Sequence, residues 1–211
     1  MLEATHFIII RHGETVDNAA RRSQGQLPGK LNERGIAQAQ AVAHRLQDID
    51  VSAIYSSDSE RAYHTARIIA AATGNDIILD ERLRERHYGV FQGHLRSEIA
   101  TLYPDILEKY RSWDPDYAVP GGESTSELYQ RVVACTEEIA ERHPGETVVI
   151  ATHGGSLGVL FRHVLGIPLD QPRRFWVRNA SLNVFTFDQG IWHLESWGDV
   201  HHLQELGGYS L

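Results

Sequence analysis

The chain has 211 residues, of which 42% are hydrophobic and 23% charged, with a formal net charge of −8. That composition excludes a disordered or collagen-like chain, and the length suffices for one core without disulfides or a structural metal. The acidic balance argues against a generic nucleic-acid or polybasic membrane binder, and the single Cys135 leaves no internal disulfide and suits a reducing compartment.

In chain order, the first element is the apolar run Phe7-Ile8-Ile9-Ile10. It reads as a strand buried on both faces. It is too short for a signal peptide, has no basic stretch before it, and no apolar stretch elsewhere reaches a membrane span. A cytoplasmic single domain over 1–211 is therefore expected, with no nucleic-acid or membrane partner. Asn32 can cap a helix running to about Gln47, with Ile36, Ala39, Ala43 and Leu46 at helical spacing. A strand is predicted at 51–55. Ser59 can cap a helix that stops at Gly74, and 76–79 reads as another strand. The stretch 82–123 is less regular and reads as an insertion over one edge of the sheet. A long helix over 124–143 ends at Pro144-Gly145, Val148-Val149-Ile150-Ala151 is a second fully buried strand, and 156–165 is a short apolar helix ended by Gly166. Segments 183–187 and 191–195 flank Gln189-Gly190 and predict a hairpin. Strands alternating with helices imply an α/β layer fold with a mainly parallel central sheet.

In such sheets ligands bind outside the carboxyl ends of the strands. After the first run comes Arg11-His12-Gly13-Glu14, after 148–151 comes Thr152-His153-Gly154-Gly155, and after 51–55 comes a segment reaching Arg61. Two histidines and two arginines are thus delivered to one rim. The glycines beside the histidines are expected to let the backbone approach a ligand. Gly154-Gly155 also opens a helix whose free N–H groups favour an anion. Forked guanidinium donors match phosphate oxygens. Arg11, Arg61 and a protonated His153 would offset the charge of a phosphoryl group in transfer. His12 is then available as a nucleophile forming a phosphohistidine. No HExxH occurs, and the histidine spacings find no nearby cysteines, so no catalytic metal is expected. A Ser-His-Asp hydrolase is disfavoured because no GxSxG follows a strand.

Arg11-His12-Gly13-Glu14-Thr15 resembles the RHG signature of the histidine phosphatase superfamily, the phosphoglycerate mutase-like enzymes. The likeness continues in order through Asn18, Gln24-Gly25, Leu31-Asn32-Glu33-Arg34-Gly35, the segment 56–66, Leu83-Arg84-Glu85-Arg86-His87-Tyr88-Gly89, Pro120-Gly121-Gly122-Glu123-Ser124, Thr152-His153-Gly154-Gly155 and the tail 197–203. The resemblance implies a three-layer α/β/α sandwich with a small inserted subdomain. It implies His12 as the phosphorylated nucleophile, Arg11, Arg61 and His153 as holders of the phosphoryl oxygens, and Glu85 as general acid, then base. Substrate contacts are expected from Asn18, Gln24, Gly25, Arg86, Tyr88, Arg96 and Gly154. Two features depart from relatives: Pro28 stands where many carry an aspartate, and the third arginine of the acid-phosphatase and phytase branch is absent after Thr15.

The reading favoured is a phosphatase acting on small anionic phosphorylated metabolites, without cofactor and with a homodimer as an option. The alternative is a phosphoglycerate mutase, for which 2,3-bisphosphoglycerate would be the cofactor; the run 85–93 and Arg96 support it. Against it, the insert is short, and 103–120 offers only Lys109 and Arg111 where the mutases carry adjacent arginines. A mutase must also shield its phosphohistidine from water. A phospholigand-binding protein without catalysis is the third reading, disfavoured because all five chemistry-bearing residues are present.

Overall fold

The computed structural model of the chain describes residues 4–207. The strands are β1 (Thr5–Arg11), β2 (Ala53–Ser56), β3 (Ile77–Leu79), β4 (Thr147–Thr152), β5 (Leu182–Asp188) and β6 (Ile191–Asp199). The helices are α1 (Val16–Ala19), α2 (Glu33–Leu46), α3 (Glu60–Thr73), α4 (Arg96–Leu102), α5 (Pro104–Tyr110), α6 (Thr125–Arg142) and α7 (Gly154–Leu165). One sheet runs in the order β3-β2-β4-β1-β5-β6. The first four strands of that order are parallel, with Ile150 of β4 between Ile9 and Tyr55. β5 and β6 add as an antiparallel hairpin on β1. Its turn residues Gln189 and Gly190 both have positive φ (50° and 83°), the twist a two-residue hairpin needs.

Each face of the sheet carries helices. Phe7, Ile9, Val148 and Ile150 pack with Leu128, Val132, Ile139, Leu157 and Leu160 of α6 and α7. Ile8, Ile10, Ile54 and Val149 pack on the other face with Val42, Leu46, Ala66 and Ile69 of α2 and α3. Continuous apolar runs, not alternating ones, are what a strand buried on both faces requires. Each such side chain contributes about 1.5–3 kcal/mol of burial. The result is the expected three-layer sandwich.

Several boundaries differ from the sequence reading. β2 begins at Ala53, opposite Val148, two residues later than predicted. Asn32 caps α2 through the N–H of Gly35, and Ser124 forms a capping box with Glu127 at α6. Ser59 occupies the N-cap of α3 but makes no cap bond; its hydroxyl is engaged by Ser57. α7 starts at Gly154, with His153 as its N-cap, so both glycines lie in its first turn and not in a loop. The stretch 82–123 holds α4 and α5 around a small cluster of Phe91, Ile99 and Val119. Phe91, Ile99 and Tyr110 also wall the cavity that holds His12, so this insert stands over the ends of the parallel strands.

Candidate active site

β1 and β4 lie side by side, with Arg11 opposite Thr152. The next residue of each chain segment is a histidine, and their ring centroids are 5.2 Å apart, edge to face. His12 is 3% exposed. Its Nδ1 lies 2.7 Å from the Gly13 carbonyl, while the Nε–H of Arg61 donates to its Nε2 at 3.2 Å. The carbonyl can only accept and the guanidinium can only donate, so Nδ1 carries the hydrogen and Nε2 holds the lone pair. Burial, then the charges of Arg61 and Arg11, push the His12 imidazole well below its ordinary 6.5. A neutral, oriented imidazole is the state a nucleophile needs.

Arg61 is 1% exposed. Its Nη atoms donate to the carbonyls of Leu27 (3.1 Å) and Gly25 (2.6 Å). The loop carrying Pro28 is therefore the cradle of the second arginine. Burial lowers the Arg61 guanidinium to about 10, still charged at neutral pH. Arg11 donates from Nη1 to Val177 O at 2.6 Å.

His153 is fully buried. Its Nε2 lies 2.9 Å from Ser57 Oγ, and its Nδ1 has no protein partner among the described residues. Burial, then Arg61, His12 and Arg11, push it well below 6.5. The protonated His153 expected from the sequence is thus not what its protein surroundings favour, since three of its neighbours add or share positive charge. A cation there requires a negative group brought beside it.

Glu85 sits across from these groups. Its carboxylate accepts from the backbone N–H groups of Gly155 (2.9 Å) and Arg86 (2.7 Å). A Cβ on Gly155 would come within 2.0 Å of Glu85 Oε1. A Cβ on Gly13 would come within 2.4 Å of the Gly35 carbonyl. Gly13 therefore makes room for protein backbone and Gly155 for the Glu85 side chain, while Gly154, the glycine beside His153, lines the His12 cavity itself. The arginines flanking Glu85 in sequence are engaged elsewhere: Arg82 by Asp80 and Glu138, Arg84 by Asp58.

The remaining predicted contacts separate. Asn18, Gln24, Gly25, Tyr88, Arg96 and Gly154 line one cavity of about 690 Å³ with Arg11, His12, Arg61 and Glu85. Arg86 does not. Its guanidinium donates to Glu123 O, Thr125 Oγ1 and Tyr117 O, and it borders a smaller neighbouring cavity of about 110 Å³. Arg86 ties the insert to α6 instead of facing His12. Gln24 is buried, with its Oε1 accepting from Thr15.

Four supports escaped the sequence reading. Asn179 donates from Nδ2 to His12 O (2.9 Å) and Asn18 Oδ1 (3.0 Å). Val177 holds Arg11, and Ser57 holds His153. Arg131 of α6 donates to the carbonyls of Arg82, Arg84 and Glu85 and pairs with Glu123, fixing the strap that carries Glu85. Among the described residues no group of three or more His, Cys, Asp or Glu could hold a metal ion. No helix among them is long and apolar enough to cross a membrane.

The two depressed histidines have a thermodynamic consequence. As pH falls through 6.5 the unfolded chain takes up protons on both, and the folded chain does not. Their contribution is therefore full above pH 6.5 and declines below it, by up to about 1.4 kcal/mol per pH unit for each. The urea midpoint of the wild type should fall between pH 7 and 5.5, and the double variant His12→Asn, His153→Asn should show a flatter profile. Parallel profiles would contradict this account.

The family model described as the histidine phosphatase superfamily (branch 1) matches residues 7–200. The chain is 39% identical over 210 residues to phosphoglycerate mutase-like protein 4 of Arabidopsis thaliana, covering 98% of this chain and 90% of that protein. It is 38% identical over 208 residues to a metal-independent phosphoserine phosphatase of the same plant, covering 97% and 86%. The solved structure of Bacillus stearothermophilus YhfR superposes with a TM-score of 0.88 at 35% identity, over 94% of this chain and 99% of that one.

Proposed function

The chain belongs to the histidine phosphatase superfamily, and from that membership we propose that it hydrolyses small phosphomonoesters through a phosphohistidine at His12. The observation that carries this reading is the neutral His12, whose Nε2 lone pair is set beside Arg61 in the same cavity as Glu85. Arg11 and Arg61 hold the equatorial phosphoryl oxygens, where charge spreads in the transition state. His12 Nε2 attacks phosphorus, the bond from phosphorus to the ester oxygen breaks, and Glu85 gives its proton to the departing alkoxide. The Glu85 carboxylate then takes a proton from water. The resulting hydroxide attacks phosphorus, the P–N bond breaks and phosphate leaves. Asn18, held by Asn179, and Gly154 at the start of α7 supply further donors to the phosphoryl group. The arriving dianion's charge raises the proton affinity of His153, which then takes up a proton from solvent. Each step uses the chain's own groups and water.

The mutase reading draws on the likeness to phosphoglycerate mutase-like protein 4 and on the run 85–93. Phosphate release from a panel of phosphomonoesters should be detected without added bisphosphoglycerate. A coupled assay for 3- to 2-phosphoglycerate conversion should find none with or without that cofactor. Conversion without phosphate release would make the chain a mutase.

A further inference from the structure

The two histidines of the site keep different company. His12 has two partners that cannot exchange roles: the Gly13 carbonyl only accepts and the Arg61 guanidinium only donates. A proton added to Nε2 of His12 would face another N–H, so these partners hold that ring neutral. Among the described residues His153 has one hydrogen-bond partner, the Ser57 hydroxyl, 2.9 Å from its Nε2. A hydroxyl carries one hydrogen and also accepts, so it can face a lone pair or an N–H. Ser57 has no part in the steps derived above, yet its side chain is completely buried.

The surroundings of Ser57 fit a change of role. Its Oγ lies 3.2 Å from the Ser59 Oγ and accepts from the Ser59 backbone N–H, also at 3.2 Å. When Ser57 accepts from an imidazolium, its own hydrogen must point away from His153, and the Ser59 oxygen is there to receive it. Both lone pairs and the hydrogen of Ser57 are then used. Ser59 is half-buried and makes no cap bond to α3, so its oxygen is not committed to the helix. The charged and titratable groups around His153 are Arg11 and His12 at the end of β1, Arg61 of α3 and Arg131 of α6, and all four weigh against a further positive charge. The Glu85 carboxylate lies on the N–H of Gly155, two residues further along. An imidazolium buried there without an acceptor for Nε2–H would leave a charged donor unpaired, at a cost well above that of a neutral one. The Nδ1 end has no protein acceptor among the described residues and is left to the arriving anion. The Nε2 end needs Ser57.

We propose that Ser57 is the positioning residue that lets His153 become charged when substrate binds: it accepts from Nε2–H and turns its own hydrogen to Ser59, so that arrival of a phosphoryl dianion and uptake of one proton from solvent are a single coupled event. The inference rests on the phosphatase reading for the dianion and on the Ser57–Ser59 pair for the place of the proton.

The test counts protons. Inorganic phosphate, mostly the dianion at pH 8, is titrated into the protein in two buffers of different ionisation enthalpy, and the difference in heat, corrected for phosphate's own ionisation, gives the protons taken up. E85Q is the background, so that no carboxylate at that position contributes. Uptake should be about one proton per site, and H153N should abolish it. S57A should reduce it to a small fraction and weaken phosphate binding by roughly 10- to 100-fold, the loss of one charge-assisted hydrogen bond. S59A leaves Ser57 in place and only strands its hydrogen, so uptake should persist with affinity lowered by about threefold to tenfold. A merely structural Ser57 would weaken binding without changing the proton count, and that result would overturn the proposal. Should S57A not fold, ¹⁵N spectra of histidine-labelled wild type still decide: His153 should be neutral when unliganded and carry two protonated nitrogens with phosphate, and an unchanged neutral ring would refute the coupling. If no phosphomonoester is hydrolysed but phosphate binds with a proton that S57A removes, the phosphatase reading fails and the coupling stands. Hydrolysis together with phosphate binding that takes up no proton keeps the phosphatase reading and removes the coupling.

Discussion

Replacing His12 by alanine is expected to abolish turnover, by a factor on the order of 10⁴ to 10⁶, while the fold stays intact. The catalytic loss comes from removing the neutral imidazole whose ring is oriented by the Gly13 carbonyl and whose Nε2 faces the Arg61 guanidinium. The fold survives because its neighbours keep other partners. The Gly13 carbonyl still accepts from Asn179, and Arg61 still donates to Gly25 and Leu27. His153→Ala should be nearly as severe, since attack and charge stabilisation act as a unit. The direct check is a brief exposure to phosphorylated substrate and then peptide mapping. An acid-labile, base-stable label should appear on His12 and vanish in His12→Ala. A label on a serine or an aspartate would refute the assignment.

Glu85→Gln is expected to separate substrates by their leaving groups. On alkyl phosphates, whose alkoxide needs a proton as it departs, the loss should be about 10²- to 10⁴-fold. On p-nitrophenyl phosphate, whose leaving group needs little protonation, it should be much smaller in the phosphorylation step. The site complicates the variant in a definable way. Both carboxylate oxygens accept from backbone N–H groups, at Gly155 and Arg86, and an amide can accept from only one of them. The unpaired N–H costs about 1–3 kcal/mol and displaces the side chain. That displacement burdens both substrate types alike, whereas loss of proton donation burdens only the alkyl esters. The ratio of wild-type to variant rates for the two types, from single-turnover phosphorylation of His12, isolates the proton. Equal ratios would make Glu85 a positioning group and send the search for the donor elsewhere.

The layers and the rim were legible in one dimension. β1 and β4 stand out because a strand covered on both faces must be apolar without interruption, and the two runs do so in a chain of ordinary composition. α2 and α6 were legible from Asn32 and Ser124, whose side chains do cap them. The segments leaving the carboxyl ends of the buried strands then brought Arg11, His12, Arg61 and His153 to one place. The helices α4 and α5 were not legible, because they bury only a small aromatic cluster and carry a short, polar pattern.

The state of the site was decided by packing. Whether His153 is charged depends on total burial among three basic neighbours, which no local pattern records. Arg86 resembled a substrate contact by position, yet its donors are spent on carbonyls and a hydroxyl more than 30 residues away. Asn179, Val177 and Arg131 act on groups 46 to 167 residues distant, through contacts that leave no spacing in the sequence. The same holds for Arg173 and Arg174: an ordinary charged pair in a loop becomes part of a cavity wall because the α7–β5 segment passes beside the insert at the ends of the parallel strands. Periodicity and strand-end position are local and survive in the bare sequence. Burial, tautomer and the convergence of distant charges arise from the packing of layers, and exist only once the chain has folded.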